Sequence, residues 1–262
     1  INIVCYKHSN AYKIIMKTKR AIIMGATSGI GYATTMLLLS KGWIVGIAGR
    51  RVDILSSMQK NNPGIVAIQR IDITSDDATE ALMRLIEKTG GMDMYFHSSG
   101  IGFQNPSLDA VKELDTVSTN VVGFTRMIDF VFDYFCRHPE INGSIAVISS
   151  IADTKGLGAA PAYSASKRYI NTYLESLTQL CSIRDINNIS ITDIRPGFVR
   201  TPLLGENCHY PMQLDVNTVA KHIVKAIEQK RSVATIDWKY RIVVFIWRLI
   251  PRYIWTRLKI RS

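Results

Sequence analysis

The sequence is poor in cysteine, and the four it has, Cys5, Cys136, Cys181 and Cys208, stand far apart. They form no CxxC pair and no His/Cys spacing of a zinc site, so neither a disulfide framework nor a metal is expected. Reduced thiols of this kind fit a cytoplasmic protein. No apolar run reaches the roughly 18 residues a membrane span needs, so no spanning helix is expected. Residues 1–15 lack both a signal-peptide core and a helical period. The run Met16-Lys17-Thr18-Lys19-Arg20 before an apolar stretch reads as a natural start, which makes 1–15 an upstream arm without a part in the chemistry. Repeats and low-complexity linkers are missing too. That leaves one domain over 16–237 and a tail over 238–262.

What is present is ordinary globular composition: 262 residues, 47% hydrophobic and 20% charged, enough chain to bury a substantial core unaided. The net charge of +11 raises the question of nucleic acid. Its distribution answers it. Lys239, Arg241, Arg248, Arg252, Arg257, Lys259 and Arg261 crowd the tail with no acid among them, and the rest of the chain is only mildly basic. No recognised nucleic-acid module accompanies them, so nucleic acid is not expected as a partner.

Short apolar runs alternate with helical periods. Strands are predicted at 20–24, 43–48, 65–71, 94–97, 144–149, 189–194 and 232–236. Helices are predicted at 30–41, 52–60, 76–89, 108–136, 161–183 and 215–230. Seven strands alternating with helices imply parallel pairing through right-handed crossovers. The expected fold is therefore α/β, a doubly wound seven-stranded parallel sheet with helices on both faces, the Rossmann type of dinucleotide-binding architecture.

Gly25-Ala26-Thr27-Ser28-Gly29-Ile30-Gly31 lies between the first strand and the first helix. Glycines there let the backbone approach a pyrophosphate, and the helix start offers free N–H groups. At the end of the second strand, Gly49 is followed by Arg50 and Arg51. An acid at that place would hold the ribose 2′-hydroxyl of NAD(H), whereas arginine suits a 2′-phosphate, so NADP(H) is expected over NAD(H). Asp72 closes the third strand, within reach of an adenine amino group, although it could also be a helix cap.

Tyr163 and Lys167 stand at i and i+4 on the predicted 161–183 helix, which puts phenol and ammonium on one face. A neighbouring cation and a positive nicotinamide would draw the phenol down towards its working range. Ser150, at a strand's carboxyl end, lines the ligand crevice in this architecture. Its hydroxyl can bind the substrate oxygen.

Gly25, Gly29, Ile30, Gly31, Asp72, Asn120, Ser150, Tyr163, Lys167 and Pro196-Gly197 followed by Thr201 occur in one order and spacing. In these residues, over about 19–202, the chain resembles the short-chain dehydrogenase/reductase family. The resemblance implies that Asn120 distorts its helix and holds a water linked to Lys167, and that Lys167 also holds the nicotinamide ribose. It implies cofactor contacts at Thr27, Ser28, Ile73, Ser99, Gly100, Pro196, Gly197, Val199 and Thr201, and assembly as a homodimer or homotetramer through 108–136 and 161–183. Two departures stand out. Met24 replaces the family's threonine, and His97-Ser98-Ser99-Gly100 replaces Asn-Asn-Ala-Gly. His97 reads as a hydrogen-bonded substitute for asparagine, not a catalyst.

The leucines, Tyr210 and Met212 of the stretch between Thr201 and Asp215 suggest an apolar substrate under a lid. The small-molecule partner is then a carbonyl or alcohol, either a keto-acyl or keto-lipid compound or a steroid-like one. The tail interleaves Trp238, Trp247 and Trp255 with aliphatic residues and cations, the pattern of a segment lying on a membrane surface. It could instead fold over the pocket or a neighbouring subunit. The reading from another class is a non-catalytic NADP(H)-binding regulator or scaffold; such proteins tend to lose the tyrosine or lysine, and this chain has both.

Overall fold

The structure is a computed structural model that describes residues 18–202 and 212–259, with the backbone of two short strands nearer the N-terminus. Those strands, β1 (Ile3–Tyr6) and β2 (Lys13–Met16), pair antiparallel as a separate two-stranded sheet. The remainder of the 1–15 arm, most of the expected lid (203–211) and Arg261 lie outside the described residues.

The main sheet contains β3 (Arg20–Met24), β4 (Ile44–Gly49), β5 (Ile65–Arg70), β6 (Met94–His97), β7 (Gly143–Ile148), β8 (Ile189–Arg195) and β9 (Val233–Thr235). Their spatial order is β5-β4-β3-β6-β7-β8-β9 and every pairing is parallel. The helices between them are α1 (Gly29–Ser40), α2 (Val52–Asn61), α3 (Ala78–Thr89), α4 (Ala110–Val117), α5 (Phe124–Arg137), α6 (Pro161–Ile183) and α7 (Val216–Glu228). All seven strands and their helices fall where the alternation predicts them, within a few residues.

Both faces of the sheet are covered because its strands are apolar on both sides. On β3, Ala21 and Ile23 join Leu38, Ile47, Val219 and Ile223 on one face. Ile22 and Met24 join Leu85, Phe124, Phe135 and Leu174 on the other. The strand order reverses between β3 and β6, and ligands bind outside the carboxyl ends of strands at such a switch point. The register sets Met24 opposite His97, so the glycine turn and the segment Ser98–Gly100 emerge side by side.

Two elements differ from the sequence expectation. The single helix predicted over 108–136 is interrupted by a π-helical segment, Ser118–Gly123, between α4 and α5. Gly123 explains part of it: a Cβ there would lie 2.8 Å from Ile73 Cγ1 and 2.9 Å from its carbonyl oxygen. The second difference is the tail, where α8 (Trp238–Leu249) and α9 (Arg252–Trp255) pack back onto the domain. Tyr240 and Val244 are buried with Ile151 against Phe198 and Leu214. The Trp255 indole donates to the Gly156 carbonyl at 2.7 Å. Among the described residues no helix is long and apolar enough to cross a membrane.

Candidate active site

The floor of the crevice is built from backbone. Gly25 has φ +86°, and a Cβ on it would sit 2.8 Å from the Ser99 nitrogen. Gly31 tolerates no side chain either, since its Cβ would lie 2.1 Å from the Gly25 carbonyl oxygen. The turn is pinned by the Gly25 and Ala26 N–H groups, both donating to the Ala48 carbonyl at 2.9 and 3.1 Å. Helix α1 starts at Gly29 behind Ser28 with no side-chain cap, so its first N–H donors and the positive end of its dipole face the crevice. Ile30 follows as a half-buried residue packed on the core.

The wall beside this turn carries the two arginines. Arg51 reaches back over it, its Nη2 donating to Thr27 Oγ1 at 2.7 Å and Ser28 Oγ at 2.8 Å. Arg50 is exposed and acts on Asp72 through space. Partial burial pushes the Asp72 carboxyl up, but the Thr74 hydroxyl and N–H, with Arg50 and Arg70, outweigh it and hold it below its ordinary value. The cap of α3 is Asp77, so Asp72 is not spent on a helix end. Ile73 is buried in the core, and its carbonyl accepts from Arg126 at 3.1 Å.

On the other side, Asn120 sits in the π segment and ties three elements together. Its Oδ1 accepts from the Ile101 N–H at 2.9 Å, and its Nδ2 donates to the Ile101 carbonyl at 2.7 Å and to Ser166 Oγ at 3.0 Å. The distortion implied by the resemblance is present, and the side chain spends its donors on the loop after β6 and on α6. Gly100 is confined between Asn120 Oδ1 and Lys167 Nζ, which would lie 3.2 and 3.6 Å from a Cβ.

Ser150, Tyr163 and Lys167 come together at the mouth. Ser150 ends the strand region of β7, and its Oγ accepts from the Ala152 N–H at 3.1 Å. It is also hydrogen-bonded to Tyr163. Lys167 Nζ donates to the Ile148 carbonyl at 3.0 Å and lies 5.7 Å from the centre of the Tyr163 ring. Burial pushes the Lys167 ammonium down to about 8, against the pull of Asp193 and Asp153. For the phenol, the chain's own groups act in the opposite direction to the one expected with a positive nicotinamide bound. Burial raises Tyr163 above its ordinary value, and only the Ser150 bond opposes this. The chain's own groups therefore keep this phenol protonated at neutral pH, because desolvation of a phenolate outweighs a cation lying over the ring.

The loop after β8 closes the site. The Pro196 carbonyl accepts from the Ile151 N–H at 3.1 Å. Gly197 has no room for a Cβ, which would lie 2.2 Å from the Tyr240 ring. Val199 is buried and bridges to Leu214, and Thr201 rests on Gly29. His97 is buried, with Nδ1 3.0 Å from the Tyr95 hydroxyl. Burial and the Lys167 charge push it down to about 3, so it is held neutral in the core.

Several functional residues escape sequence reasoning. Gly102 presses on the Tyr163 ring, 2.5 Å from Cδ2 to a would-be Cβ. Glu113 Oε2 accepts from Ala162 N–H at the start of α6, while Oε1 accepts from Asn105 at 2.8 Å, which ties the loop after β6 to the catalytic helix. Behind Lys167, Asp193 accepts from Asn171 and Arg195, both at 2.7 Å, and from Ser149. A carboxylate and a guanidinium within an apolar strand were a signal for this last cluster; nothing in the sequence marked Glu113.

Comparison with known proteins agrees with this geometry. The sequence matches the family described as short chain dehydrogenase over residues 19–209. An uncharacterized oxidoreductase of Myxococcus xanthus is 27% identical over 244 residues, 90% of this chain and 94% of that protein. A short chain dehydrogenase from Burkholderia cenocepacia, solved in complex with NADP, superposes with a TM-score of 0.78 at 18% identity, covering 94% of this chain and 99% of that one. Another from Burkholderia phymatum, in complex with NAD, gives 0.74 at 20% identity over 87% and 92%.

Proposed function

We propose, for a chain that belongs to the short-chain dehydrogenase/reductase family, the NADP(H)-dependent reduction of a carbonyl on an apolar substrate. Membership makes it an oxidoreductase working between CH–OH and C=O with NAD(P). Cofactor, direction and substrate are read from this chain's own residues.

The observation that carries the reading is the cluster of Ser150, Tyr163 and Lys167 beside a side-chain-free glycine cradle. The cradle fits a dinucleotide: Gly25 and Gly31 leave backbone room, the uncapped start of α1 suits a pyrophosphate, and Lys167 and Thr201 flank the nicotinamide end. Arg51, steadied by Thr27 and Ser28, supports a 2′-phosphate. The dinucleotide, when bound, supplies the hydride. Ser150 Oγ binds the carbonyl oxygen and the Tyr163 hydroxyl gives it a proton. Lys167, charged below about pH 8, steadies the phenolate left behind. A phenol kept protonated by burial is ready to give its proton to the carbonyl oxygen.

An apolar substrate is supported by a cavity of about 340 Å³ bounded by Leu157, Ala159, Ala160, Trp255 and Leu258, on the segment joining Ser150 to α6. Contact with an anionic membrane surface is supported by α8. Its inner face is docked, while Trp238, Ile242, Phe245 and Leu249 recur at helical spacing on the outer face, exposed beside Arg241 and Arg248. Homo-oligomerisation is supported by Val111, Leu114, Val117 and Val122, exposed on α4 and the π segment.

Fluorescence titration with NADPH and NADH, followed by turnover on a panel of apolar ketones, tests the reading. NADPH is expected to bind at least about tenfold tighter, and Tyr163→Phe to lower kcat about 10³-fold with cofactor affinity unchanged. Equal affinities would refute the cofactor reading, and full turnover by the variant would refute the mechanism.

A further inference from the structure

Where the tail meets the body lies an open cleft of about 370 Å³ that the oxidoreductase chemistry does not use. Lys155, Arg168, Arg195 and Arg248 line it, beside Asn171 and a single acid, Glu175. The four cations come from four places: Arg248 from α8, Arg168 from α6, Arg195 from the end of β8, and Lys155 from the loop after Ser150.

Their hydrogen-bonding capacity is unevenly spent. Arg195 is committed, with Nε and Nη2 each 2.7 Å from Asp193 Oδ2, and Nε also 3.4 Å from Asp153. Lys155 gives one N–H to the Ile250 carbonyl at 2.8 Å and has two more. Arg168 makes one long bond, 3.5 Å, to the Asp153 carbonyl. Arg248 meets no acceptor among the described residues, and Glu175 forms no ion pair with any of these cations there. Three cations without an ion pair thus face one cavity, although Lys155 also lies 6.0 Å from the centre of the Trp255 ring and Arg168 acts through space on Asp153.

Like charges gathered at a seam repel, and here the seam is held shut by other means. Tyr240, Val244 and Trp255 dock the tail through apolar contact and hydrogen bonds. A bound anion would turn that repulsion into a bridge between tail and body. Guanidinium forks and an ammonium suit the oxygens of a phosphate group, and the cavity exceeds what one phosphate needs.

We propose that this seam is a binding site for a phosphate group, held by Lys155, Arg168 and Arg248. In the cell the group comes either from a free phosphate or phosphomonoester, or from the headgroup of a membrane lipid. Arg248 shares α8 with the exposed stripe of Trp238, Ile242, Phe245 and Leu249, so a lipid headgroup would place its acyl chains beside an apolar surface. The site stands apart from the dinucleotide crevice and does not depend on which cofactor binds there.

The test uses the full chain saturated with whichever nicotinamide dinucleotide it binds, so that the crevice offers no phosphate site. Inorganic phosphate is titrated against chloride at equal ionic strength, with melting temperature as the readout. Flotation is measured in parallel with phosphatidylcholine vesicles, with and without phosphatidic acid. A free-phosphate site raises Tm by about 3 °C at ten times its dissociation constant. A headgroup site shows instead as recovery that requires phosphatidic acid. Either response should be lost in Arg248→Gln and in Arg168→Gln, and kept in Arg252→Gln, a cation of the same tail outside the cavity. No response to either probe, or a response that survives Arg248→Gln and Arg168→Gln, overturns the proposal. Because both variants change exposed side chains, unaltered cofactor binding verifies that they fold.

Discussion

The phosphate end of the proposed dinucleotide crevice and its nicotinamide end are held by different materials. Around Gly25–Gly31 the close approaches are backbone to backbone: a Cβ on Gly31 would meet a carbonyl oxygen at 2.1 Å. Around Pro196–Thr201 they are backbone to side chain, with Gly197 under the Tyr240 ring at nearly the same separation. The glycine turn is pinned to β4 by the Gly25 and Ala26 bonds to the Ala48 carbonyl and cannot yield without breaking them, whereas a docked helix can shift. The first side is thus a rigid cradle and the second an adjustable wall, as expected where a constant cofactor meets a variable substrate.

This contrast can be broken from either side. Gly31→Ala should have the largest effect, weakening dinucleotide binding about a hundredfold or more as the turn is forced open; titration of the purified variant would check it, and near-normal affinity would mean the turn is softer than its geometry indicates.

Lys167 stands between the two sides, and its effect is on stability. Folding lowers its pKa from 10.5 to about 8. Below pH 8 both states hold the proton and the burial cost stands in full. Between pH 8 and 10.5 the unfolded chain holds a proton that the folded chain has shed, so stability contributed by this group recovers with rising pH by up to about 3 kcal/mol. Urea titrations of wild type and Lys167→Met between pH 7 and 10 should therefore differ by an amount that changes in the wild type's favour as pH rises. A constant difference would contradict the burial argument.

Gly197→Ala should act on the nicotinamide end and on the substrate beside it. Pushing α8 away costs about 1–3 kcal/mol of stability and raises KM for the carbonyl about tenfold, while dinucleotide affinity falls far less than in Gly31→Ala. A matching loss of cofactor binding would erase the distinction between the two sides. The smallest effect belongs to Tyr240→Phe, which removes the hydroxyl that accepts from Phe198 N–H at 3.1 Å and donates to the Met212 carbonyl at 3.0 Å. The expected cost is about 1–2 kcal/mol, seen as a Tm lower by about 3–6 °C.

How much could be read in advance follows the same division. The glycine turn, Ser150, Tyr163 and Lys167 were legible because each is a residue type that its local geometry demands: positive φ, close approach, i to i+4 on one helix face. The π segment was legible only through resemblance. Its cause lies partly in contact between Gly123 and Ile73, fifty residues apart, which no local period reveals. The tail was legible as basic, aromatic and amphipathic, but which residues dock was not, because Tyr240 and Val244 are marked out only once Ile151 and Phe198 lie beneath them. The burial that raises the Tyr163 phenol was hidden for a related reason: charge is visible in a sequence, but desolvation is not.

By itself, the order of residues determined the alternating fold and the switch point, since these follow from periodicity and backbone stereochemistry acting over a few residues, and it nominated Ser150, Tyr163 and Lys167 for the proposed proton transfer. Only the tertiary structure decided which polar groups lose water: the neutral His97, the weakened ammonium of Lys167, the protonated phenol of Tyr163, and the cationic seam under α8. Burial is a property of what packs from elsewhere in the chain, and it outweighs the local pattern wherever a charge is concerned.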